Sequence, residues 1–297
     1  MSEISIKHHG AKSSRSDRAE TTAKTRIVEI SEGINCGARE LLLIAGPCAV
    51  EDLEQMEASA AFLSRLGIGA LRGCIFKPRT SPYSYQGIGA DGIALLERVK
   101  RQFEMPVVTE VMSREQIESV YEVSDVFQIG SRNMQNFELL KEVGLLDKPV
   151  ILKRGLSATI EEFLMAAEYI LSGGNQRVIL CERGIRSFDP STRNVLDLGA
   201  VAVLKSMTDL PVLVDPSHAL GKSEFVATMA GAAIAAGADG LVVECHPRPA
   251  QSVSDARQAL SFDEMQGLVD AIAPIAEAVG RSVGQREFQK ALHNIAC

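Results

Sequence analysis

The stretch "LLLIAGPCAV" (41–50) joins an apolar run to a turn that carries a cysteine. The run Leu41–Ala45 is typical of a buried strand, and Cys48 follows it directly after Gly-Pro. A core cysteine would lie within the run, and a disulfide would need an oxidising compartment. A metal ligand would lie just past the strand end, on a rigid turn. The rest of the chain decides between these roles.

Short apolar runs of the same kind recur along the chain. There are eight: Leu41–Ala45, Ala70–Phe76, Pro106–Thr109, Asp125–Ile129, Pro149–Leu152, Arg177–Cys181, Pro211–Val214 and Asp239–Val243. They are rich in Val, Ile and Leu without clean alternation, which is typical of parallel strands covered on both faces. Stripes with helical spacing lie between them, for example over 53–66 and 160–171. Eight strand–helix units predict an α/β fold, a (β/α)₈ TIM barrel.

A doubly wound open sheet is the alternative architecture. Such a sheet would usually carry a Gly-rich dinucleotide fingerprint after its first strand, and "GPCAVED" (46–52) is not one. We therefore predict a catalytic barrel over 41–280 and a C-terminal tail over 281–297. Residues 1–40 are predicted to be a short, partly flexible N-terminal extension, because 1–26 are polar, with six Lys or Arg against three Asp or Glu.

Composition excludes several classes of protein. A net charge of −7 argues against a nucleic-acid binder, and no run of 18 apolar residues predicts a membrane span. The N-terminus lacks the apolar region of a secretory signal, so we expect a cytoplasmic protein. The six cysteines are then expected to be mostly reduced thiols, and their spacing matches no zinc-finger or Cys-x-x-Cys pattern.

Charged residues gather at the C-terminal ends of the predicted strands, where barrel enzymes have their active sites. One group is cationic: Arg72, Lys77, Arg79, Arg132, Lys153 and Arg183. Arginine binds phosphate or carboxylate in a bidentate manner, so the group predicts sites for more than one phosphorylated ligand. The alternative is a set of structural ion pairs with Glu110, Glu182 and Asp215.

A second group at the same rim mixes soft, borderline and hard donor atoms: Cys48, His218, Glu244 and Asp255. Such donors suit Mn²⁺, Fe²⁺, Co²⁺ or Zn²⁺. The first, seventh and eighth strands of a closed barrel are neighbours, so these residues can converge. The alternative for His218 is a capping role, and His246 is left outside the metal set for the same reason. A metal ligand is the favoured role of Cys48.

Several motifs occur in a family-specific order. They are "GPCAVE" (46–51), "LRGCIFKPRTSPYSYQG" (71–87), "QIGSRNMQN" (128–136), "LKRG" (152–155), "CERGIRSF" (181–188), "LVDPSHALG" (213–221), "VVECHP" (242–247) and "SVSDARQAL" (252–260). Over roughly residues 30 to 275 the chain resembles type I 3-deoxy-D-arabino-heptulosonate 7-phosphate (DAHP) synthases. The closer match is the branch that includes 3-deoxy-D-manno-octulosonate 8-phosphate synthases.

The resemblance implies condensation of phosphoenolpyruvate with erythrose 4-phosphate, at the head of the shikimate pathway to chorismate and the aromatic amino acids. It implies a metal, most typically Mn²⁺, on Cys48, His218, Glu244 and Asp255. The implied phosphoenolpyruvate residues are Arg72, Lys77, Arg132, Lys153 and Arg183, and the implied erythrose 4-phosphate residues are Arg79, Thr80 and Ser81. Catalytic roles are expected for Lys77, as proton donor, and Glu110, which guides water, alongside Cys48 and His218.

Two other functions are weighed against this one. An octulosonate synthase is opposed by "KPRTS" (77–81), because those enzymes resemble "KANRSS" there. A non-catalytic regulatory barrel would have lost a metal ligand or a phosphate-binding cation, and none is missing. We also expect a homo-oligomer, a dimer or a tetramer. Finally, we expect Cys74 to face the barrel interior from the strand of Arg72, which makes it a candidate disulfide partner of Cys48 on oxidation. Cys245 is a second candidate, although it should point away from the side that Glu244 faces.

Overall fold

The computed structural model describes residues 25–79 and 81–284. Its strands begin with a hairpin and continue into a barrel. In chain order they are β1 (Val28–Ser31), β2 (Ile34–Cys36), β3 (Glu40–Gly46), β4 (Ala70–Arg72), β5 (Val107–Glu110), β6 (Val126–Ile129), β7 (Val150–Lys153), β8 (Val178–Glu182), β9 (Val212–Val214), β10 (Gly240–Glu244) and β11 (Ser282–Val283).

Helices alternate with the barrel strands. They are α1 (Leu53–Arg65), α2 (Gly92–Phe103), α3 (Arg114–Val120), α4 (Phe137–Gly144), α5 (Ile160–Ser172), α6 (Leu198–Met207), α7 (Pro216–Leu220), α8 (Val226–Ala235) and α9 (Phe262–Ala278). Short 3₁₀ turns cover Gly89–Asp91, Ser131–Asn133, Ser223–Phe225 and Pro249–Gln251. Within α5, a capping box of Thr159 and Glu162 begins the helix, and Phe163, Ala167 and Ile170 are buried towards the sheet.

The parallel sheet of β3 to β10 closes on itself. Each strand pairs with the next, and β10 pairs with β3 from Gly240 opposite Leu42 to Glu244 opposite Gly46. This closure confirms the predicted TIM barrel and excludes the open sheet. No helix among the residues described here is both long and apolar enough to cross a membrane.

One strand is shorter than predicted. The sequence run covers 70–76, but β4 ends at Arg72, because Gly73 and the residues after it turn away to begin the loop into α2. Cys74 therefore lies in this loop, where its carbonyl oxygen accepts a hydrogen bond from the amide of Val50 at 3.1 Å. The expectation that Cys74 continues the strand of Arg72 was wrong. Cys48 and Cys74 are both buried free thiols.

Strand residues that point into the barrel divide it into an apolar floor and a charged top. The floor contains Ala70, Val108, Ile151 and Val242, and the hairpin packs against it through Val28, Ile30 and Cys36. Two positions later on the same strands stand charged residues: Arg72, Glu110, Lys153 and Glu244. Because side chains alternate along a strand, these charges share the interior face at the C-terminal end.

Two segments outside the predicted barrel range are ordered around it. The hairpin falls within the 1–40 stretch that was predicted to be an extension. The short strand β11 falls within the predicted 281–297 tail, and it pairs in parallel with the start of β3, with Ser282 opposite Glu40. Both segments lie away from the charged top of the barrel.

Candidate active site

A polar cavity of about 230 Å³ opens at the C-terminal ends of the barrel strands. Most of the predicted site residues lie on its wall: Lys77, Arg79, Glu110, Arg132, Lys153, Arg183, His218 and Asp255. Cys48, Arg72 and Glu244 are buried. Ser81 is exposed and is not part of the wall, while Thr80 lies outside the described residues.

Three of the four predicted metal ligands converge. Cys48 follows β3, His218 lies in α7 after β9, and Glu244 ends β10, so three neighbouring strands supply them. Their ligand atoms all lie within 4.8 Å of one another. Sγ of Cys48 is 3.7 Å from Nε2 of His218, which is 3.5 Å from Oε2 of Glu244.

Asp255, the fourth predicted ligand, contacts this group at Cys48. Oδ2 of Asp255 lies 3.2 Å from Sγ of Cys48. The carboxylate comes from the loop between β10 and α9, where the Asp255 backbone has a φ of 56°. Aspartate is among the few residues that tolerate this left-handed conformation. Asp255 thus stands at the edge of the cluster rather than within the compact set of three.

The chemistry of the cluster fits a divalent cation. Oε1 of Glu244 is buried and has no hydrogen-bond partner among the described residues. Burial raises the pKa of Glu244 to about 7. Burial also raises the pKa of Cys48 to about 11, and the nearby charge of Glu244 adds to this effect. A bound cation would stabilise both anionic forms, which the protein alone holds at a cost.

His218 is oriented as a metal-binding histidine usually is. Its Nδ1 donates to Oδ2 of Asp215 at 2.8 Å, which leaves Nε2 facing Cys48 and Glu244. Burial lowers the pKa of His218 to about 3, so the imidazole is neutral and Nε2 carries a lone pair. The capping alternative does not explain this arrangement, because the helix-capping side chain of α7 is Asp215.

Two buried arginines hold unpaired donors. Arg72 is 1% exposed, and none of its guanidinium nitrogens has a hydrogen-bond partner among the described residues; NH1 lies 3.6 Å from Oε2 of Glu244. Arg183 donates from NH2 to the carbonyl oxygen of His218, while its buried NH1 has no partner in the same part of the chain. Buried cationic donors without partners are costly, so an anionic ligand is the expected complement.

The other cationic side chains either form ion pairs within the protein or lie beside the cavity. Nζ of Lys153 lies 2.5 Å from Oδ2 of Asp215. For Lys153, the alternative role of a structural ion pair is therefore present. Arg154, at the same strand end, is engaged by Glu182 at 2.9 Å and Asp197 at 3.0 Å. Nζ of Lys77 donates to Sγ of Cys48 at 3.1 Å, which puts an ammonium group beside the candidate metal ligands.

Glu110 is held on the cavity wall by residues of β6 and of the turn that follows it. Nε2 of Gln128 donates to Oε2 of Glu110 at 3.3 Å. An added Cβ at Gly130 would lie 2.1 Å from Oε1, so glycine is needed for the carboxylate to occupy this place. Gln128 was not predicted, although it follows the floor residue Val126 by two positions and the alternation along β6 could have found it.

Arg79 makes several contacts within the protein. Its Nε donates to the carbonyl oxygen of Tyr85 at 3.0 Å, its NH1 lies 3.4 Å from Oδ2 of Asp255, and its NH2 contacts Ser254. Two more arginines of the cavity wall, Arg186 and Arg193, were missed by the sequence analysis. They lie in the long loop between β8 and α6, beyond the strand ends at which charged residues were predicted to gather.

The chain matches a known protein family over most of its length. A sequence profile described as the DAHP synthetase I family matches residues 20–279. The chain belongs to this family. Membership makes it an enzyme of the transferase class and confirms the resemblance on which the sequence analysis relied.

The names of the proteins related to this DAHP synthetase I chain describe two different activities, one for each group of relatives. The phospho-2-dehydro-3-deoxyheptonate aldolase of Thermotoga maritima is 47% identical over 250 residues, 84% of this chain and 74% of that protein. The 2-dehydro-3-deoxyphosphooctonate aldolase of Acidithiobacillus ferrooxidans is 33% identical over 255 residues, 80% of this chain and 90% of that protein.

Solved structures of DAHP synthase share the fold. The crystal structure of the Thermotoga maritima DAHP synthase aligns with a TM-score of 0.84 and 45% identity, over 88% of this chain and 76% of that one. A truncated form of the same enzyme aligns with a TM-score of 0.82 and 42% identity, over 88% of this chain and 95% of that one.

Proposed function

We propose that the protein is a metal-dependent DAHP synthase. It condenses phosphoenolpyruvate with D-erythrose 4-phosphate and water to give DAHP and phosphate, the first step of the shikimate pathway. The observation that carries the proposal is the set of unpaired buried donors on Arg72 and Arg183, next to a Cys–His–Glu cluster at the C-terminal end of the barrel. These donors need an anion, and the cluster suits a cation.

Phosphoenolpyruvate supplies two anionic groups for the cationic wall. Arg72, Lys77, Arg132, Lys153 and Arg183 are proposed to bind its phosphate and carboxylate. The buried guanidinium groups give directional, charge-assisted hydrogen bonds, and they are worth most where water is excluded. Lys153 already faces Asp215, so its charge is partly balanced before the substrate binds.

Cys48, His218, Glu244 and Asp255 are proposed to hold the divalent ion, Mn²⁺ or else Fe²⁺, Co²⁺ or Zn²⁺. When bound, such an ion acts as a Lewis acid that polarises the aldehyde oxygen of erythrose 4-phosphate. The protein prepares the ligands: Asp215 fixes the ring of His218, and burial keeps the imidazole neutral. Lys77 donates to Cys48, which balances part of the negative charge of a thiolate there.

The proposed reaction forms one carbon–carbon bond and one carbon–oxygen bond, and it breaks the carbon–oxygen bond to phosphate. The methylene carbon of phosphoenolpyruvate attacks the aldehyde carbon, and Lys77 donates a proton to the alkoxide that forms. Water, guided by Glu110, adds to the cationic carbon that carries the phosphate and releases a proton, which replaces the one donated by Lys77. The resulting hemiketal phosphate releases inorganic phosphate and leaves the keto group. Arg132, Lys153 and Arg183 stabilise the charge on the departing phosphate.

Erythrose 4-phosphate is proposed to bind at the outer part of the cavity, through Arg79, Thr80 and Ser81 of "KPRTS". The same motif supports a four-carbon aldose phosphate over the five-carbon substrate of octulosonate synthases. The identity of 47% to a heptonate aldolase, against 33% to an octonate aldolase, also supports this choice. We also predict that the protein is cytoplasmic and that it forms a homo-oligomer, either a dimer or a tetramer.

The decisive experiment mixes purified Mn²⁺-loaded protein with phosphoenolpyruvate and one aldose phosphate at a time. We expect consumption of phosphoenolpyruvate and release of phosphate with erythrose 4-phosphate, and far slower turnover with arabinose 5-phosphate. Preference for arabinose 5-phosphate would mean an octulosonate synthase. Absence of turnover with every aldose phosphate would favour the non-catalytic barrel.

A further inference from the structure

A buried glutamine connects the two candidate carboxylate ligands. Gln258 is 2% exposed and lies in the loop between β10 and α9, as Asp255 does. Its Nε2 donates to Oε2 of Glu244 at 2.7 Å, and its Oε1 accepts from NH1 of Arg193 at 3.1 Å. NH1 of the same arginine lies 3.2 Å from Oδ1 of Asp255. A continuous chain of hydrogen bonds thus runs from Glu244 to Asp255.

The chemistry of the three groups fixes the direction of this chain. A guanidinium group can only donate and an ionised carboxylate can only accept, so the amide of Gln258 has one orientation that satisfies both neighbours. Its NH₂ must face Glu244 and its oxygen must face Arg193. The amide adds no net charge to a buried site that already holds a carboxylate and a thiol.

Each carboxylate therefore has one oxygen engaged by the chain. For Glu244, Oε2 is held by Gln258 while Oε1 has no partner within the described part of the protein. For Asp255, Oδ1 is held by Arg193, while Oδ2 lies next to Sγ of Cys48. The same Oδ2 also accepts a hydrogen bond from Oγ of Ser254 at 3.1 Å and lies 3.4 Å from NH1 of Arg79. The geometry thus leaves Oε1 of Glu244 available for a cation, and it directs Oδ2 of Asp255 towards the thiol of Cys48.

Arg193 is itself fixed to the element that carries His218. Its backbone amide donates to the carbonyl oxygen of Leu220 in α7 at 3.0 Å, and the next residue, Asn194, donates from its side chain to the carbonyl oxygen of His218 at 3.2 Å. An added Cβ at Gly221 would lie 2.8 Å from Cβ of Arg193, so the two segments pack closely. The loop after β8 thereby joins the elements that supply His218, Glu244 and Asp255.

We propose that Gln258 and Arg193 are positioning residues that hold the carboxylates of Glu244 and Asp255 in the arrangement that binds the divalent ion. This inference rests on the proposed metal site. Partners of metal ligands orient those ligands, and their loss typically weakens metal binding about 10- to 100-fold. We expect losses in this range for Gln258→Leu and for Arg193→Ala, measured without substrates.

The test is a Mn²⁺ titration of the metal-free full-length protein, in which the electron paramagnetic resonance signal reports free Mn²⁺. Wild type is compared with both single variants and with the double variant. Because the two residues act in one chain, the double variant should bind Mn²⁺ little more weakly than the weaker single variant. The matched control is Arg257→Ala, since the side chain of this neighbouring arginine makes no hydrogen bond or ion pair within the described ranges. It should match wild type.

Each outcome decides the inference. An unchanged dissociation constant in Gln258→Leu overturns it, provided that Cys48→Ala abolishes binding and so locates the site. If wild type binds no Mn²⁺, or if Cys48→Ala binds as wild type does, the proposed metal site fails and the inference falls with it. Thermal unfolding checks each variant. Should Gln258→Leu fail to fold, Arg193→Ala decides, because the side chain of Arg193 is 39% exposed and its loss opens no buried cavity.

Discussion

Replacing Gly130 with alanine should displace the carboxylate of Glu110 and leave its chemical identity unchanged. The backbone accepts alanine, because φ at Gly130 is −69°. The new Cβ would lie 2.1 Å from Oε1 of Glu110, and since 3.0 Å is the shortest separation that such atoms show, the oxygen must retreat by at least about 0.9 Å. Gly130→Ala therefore tests whether the position of this carboxylate matters.

We expect kcat to fall by about 100-fold, or about 2.7 kcal/mol, because a misplacement of about 1 Å at a reacting group has an effect of this size. Michaelis constants should change little, since Glu110 is proposed to act on water rather than to bind either phosphate. The assay is steady-state loss of phosphoenolpyruvate absorbance with erythrose 4-phosphate as the second substrate.

Two controls separate this effect from a general disturbance. Gly267→Ala adds a Cβ that meets no atom within 4 Å, so it should retain wild-type kinetics. Combined with Glu110→Gln, Gly130→Ala should add little further loss, because both changes act through one carboxylate. A kcat of Gly130→Ala within a few-fold of wild type, or full additivity in the double variant, would refute the reasoning.

Four further predictions concern the metal and the second substrate. Exhaustive chelation should abolish turnover and Mn²⁺ should restore it; undiminished activity after verified metal removal would contradict the proposed mechanism. Cys48→Asn removes the thiol and should lose nearly all Mn²⁺ binding and activity, which metal analysis and kinetics check together. Arg79→Ala should raise the Michaelis constant for erythrose 4-phosphate far more than that for phosphoenolpyruvate, by about 10- to 150-fold for a lost charge-assisted contact of roughly 1.5–3 kcal/mol; equal effects would mean that the phosphate sites are wrongly assigned. Mild oxidant should inactivate the metal-free enzyme through Cys48 and Cys74, and Cys74→Ser should slow this loss; a variant inactivated as fast as wild type would exclude the pairing.

The barrel and the site at its top could be predicted because both follow from strand periodicity. Eight buried runs between helical stripes leave few architectures, and closure brings the ends of all the strands together. Alternation along each strand then puts Arg72, Glu110, Lys153 and Glu244 on one interior layer. Convergence of Cys48, His218 and Glu244 needed no further information, since their strands are neighbours.

The pairing of charges could not be predicted in the same way. Arg72 and Arg154 both stand at or just past a strand end and look equivalent in sequence. In the structure Arg154 is engaged by Glu182 and by Asp197, which caps α6, while the guanidinium of Arg72 has no hydrogen bond among the described residues. The difference depends on where one loop delivers Asp197, which no local pattern reveals.

The remaining site residues that strand periodicity could not predict are carried by loops. Asp255 reaches Cys48 only through a left-handed backbone, and Arg193 arrives from a loop that returns to α7 after leaving β8. Strand ends thus supply the buried Arg72, Lys153 and Glu244 proposed for phosphoenolpyruvate and the metal, whereas loops supply Asp255 and the more exposed Arg79 and Arg186 on the cavity wall. The names of the relatives refer to a seven-carbon heptonate and to an eight-carbon octonate, which differ by one carbon. We therefore expect that exchanging loop residues such as those of "KPRTS", rather than strand residues, alters the choice of aldose phosphate.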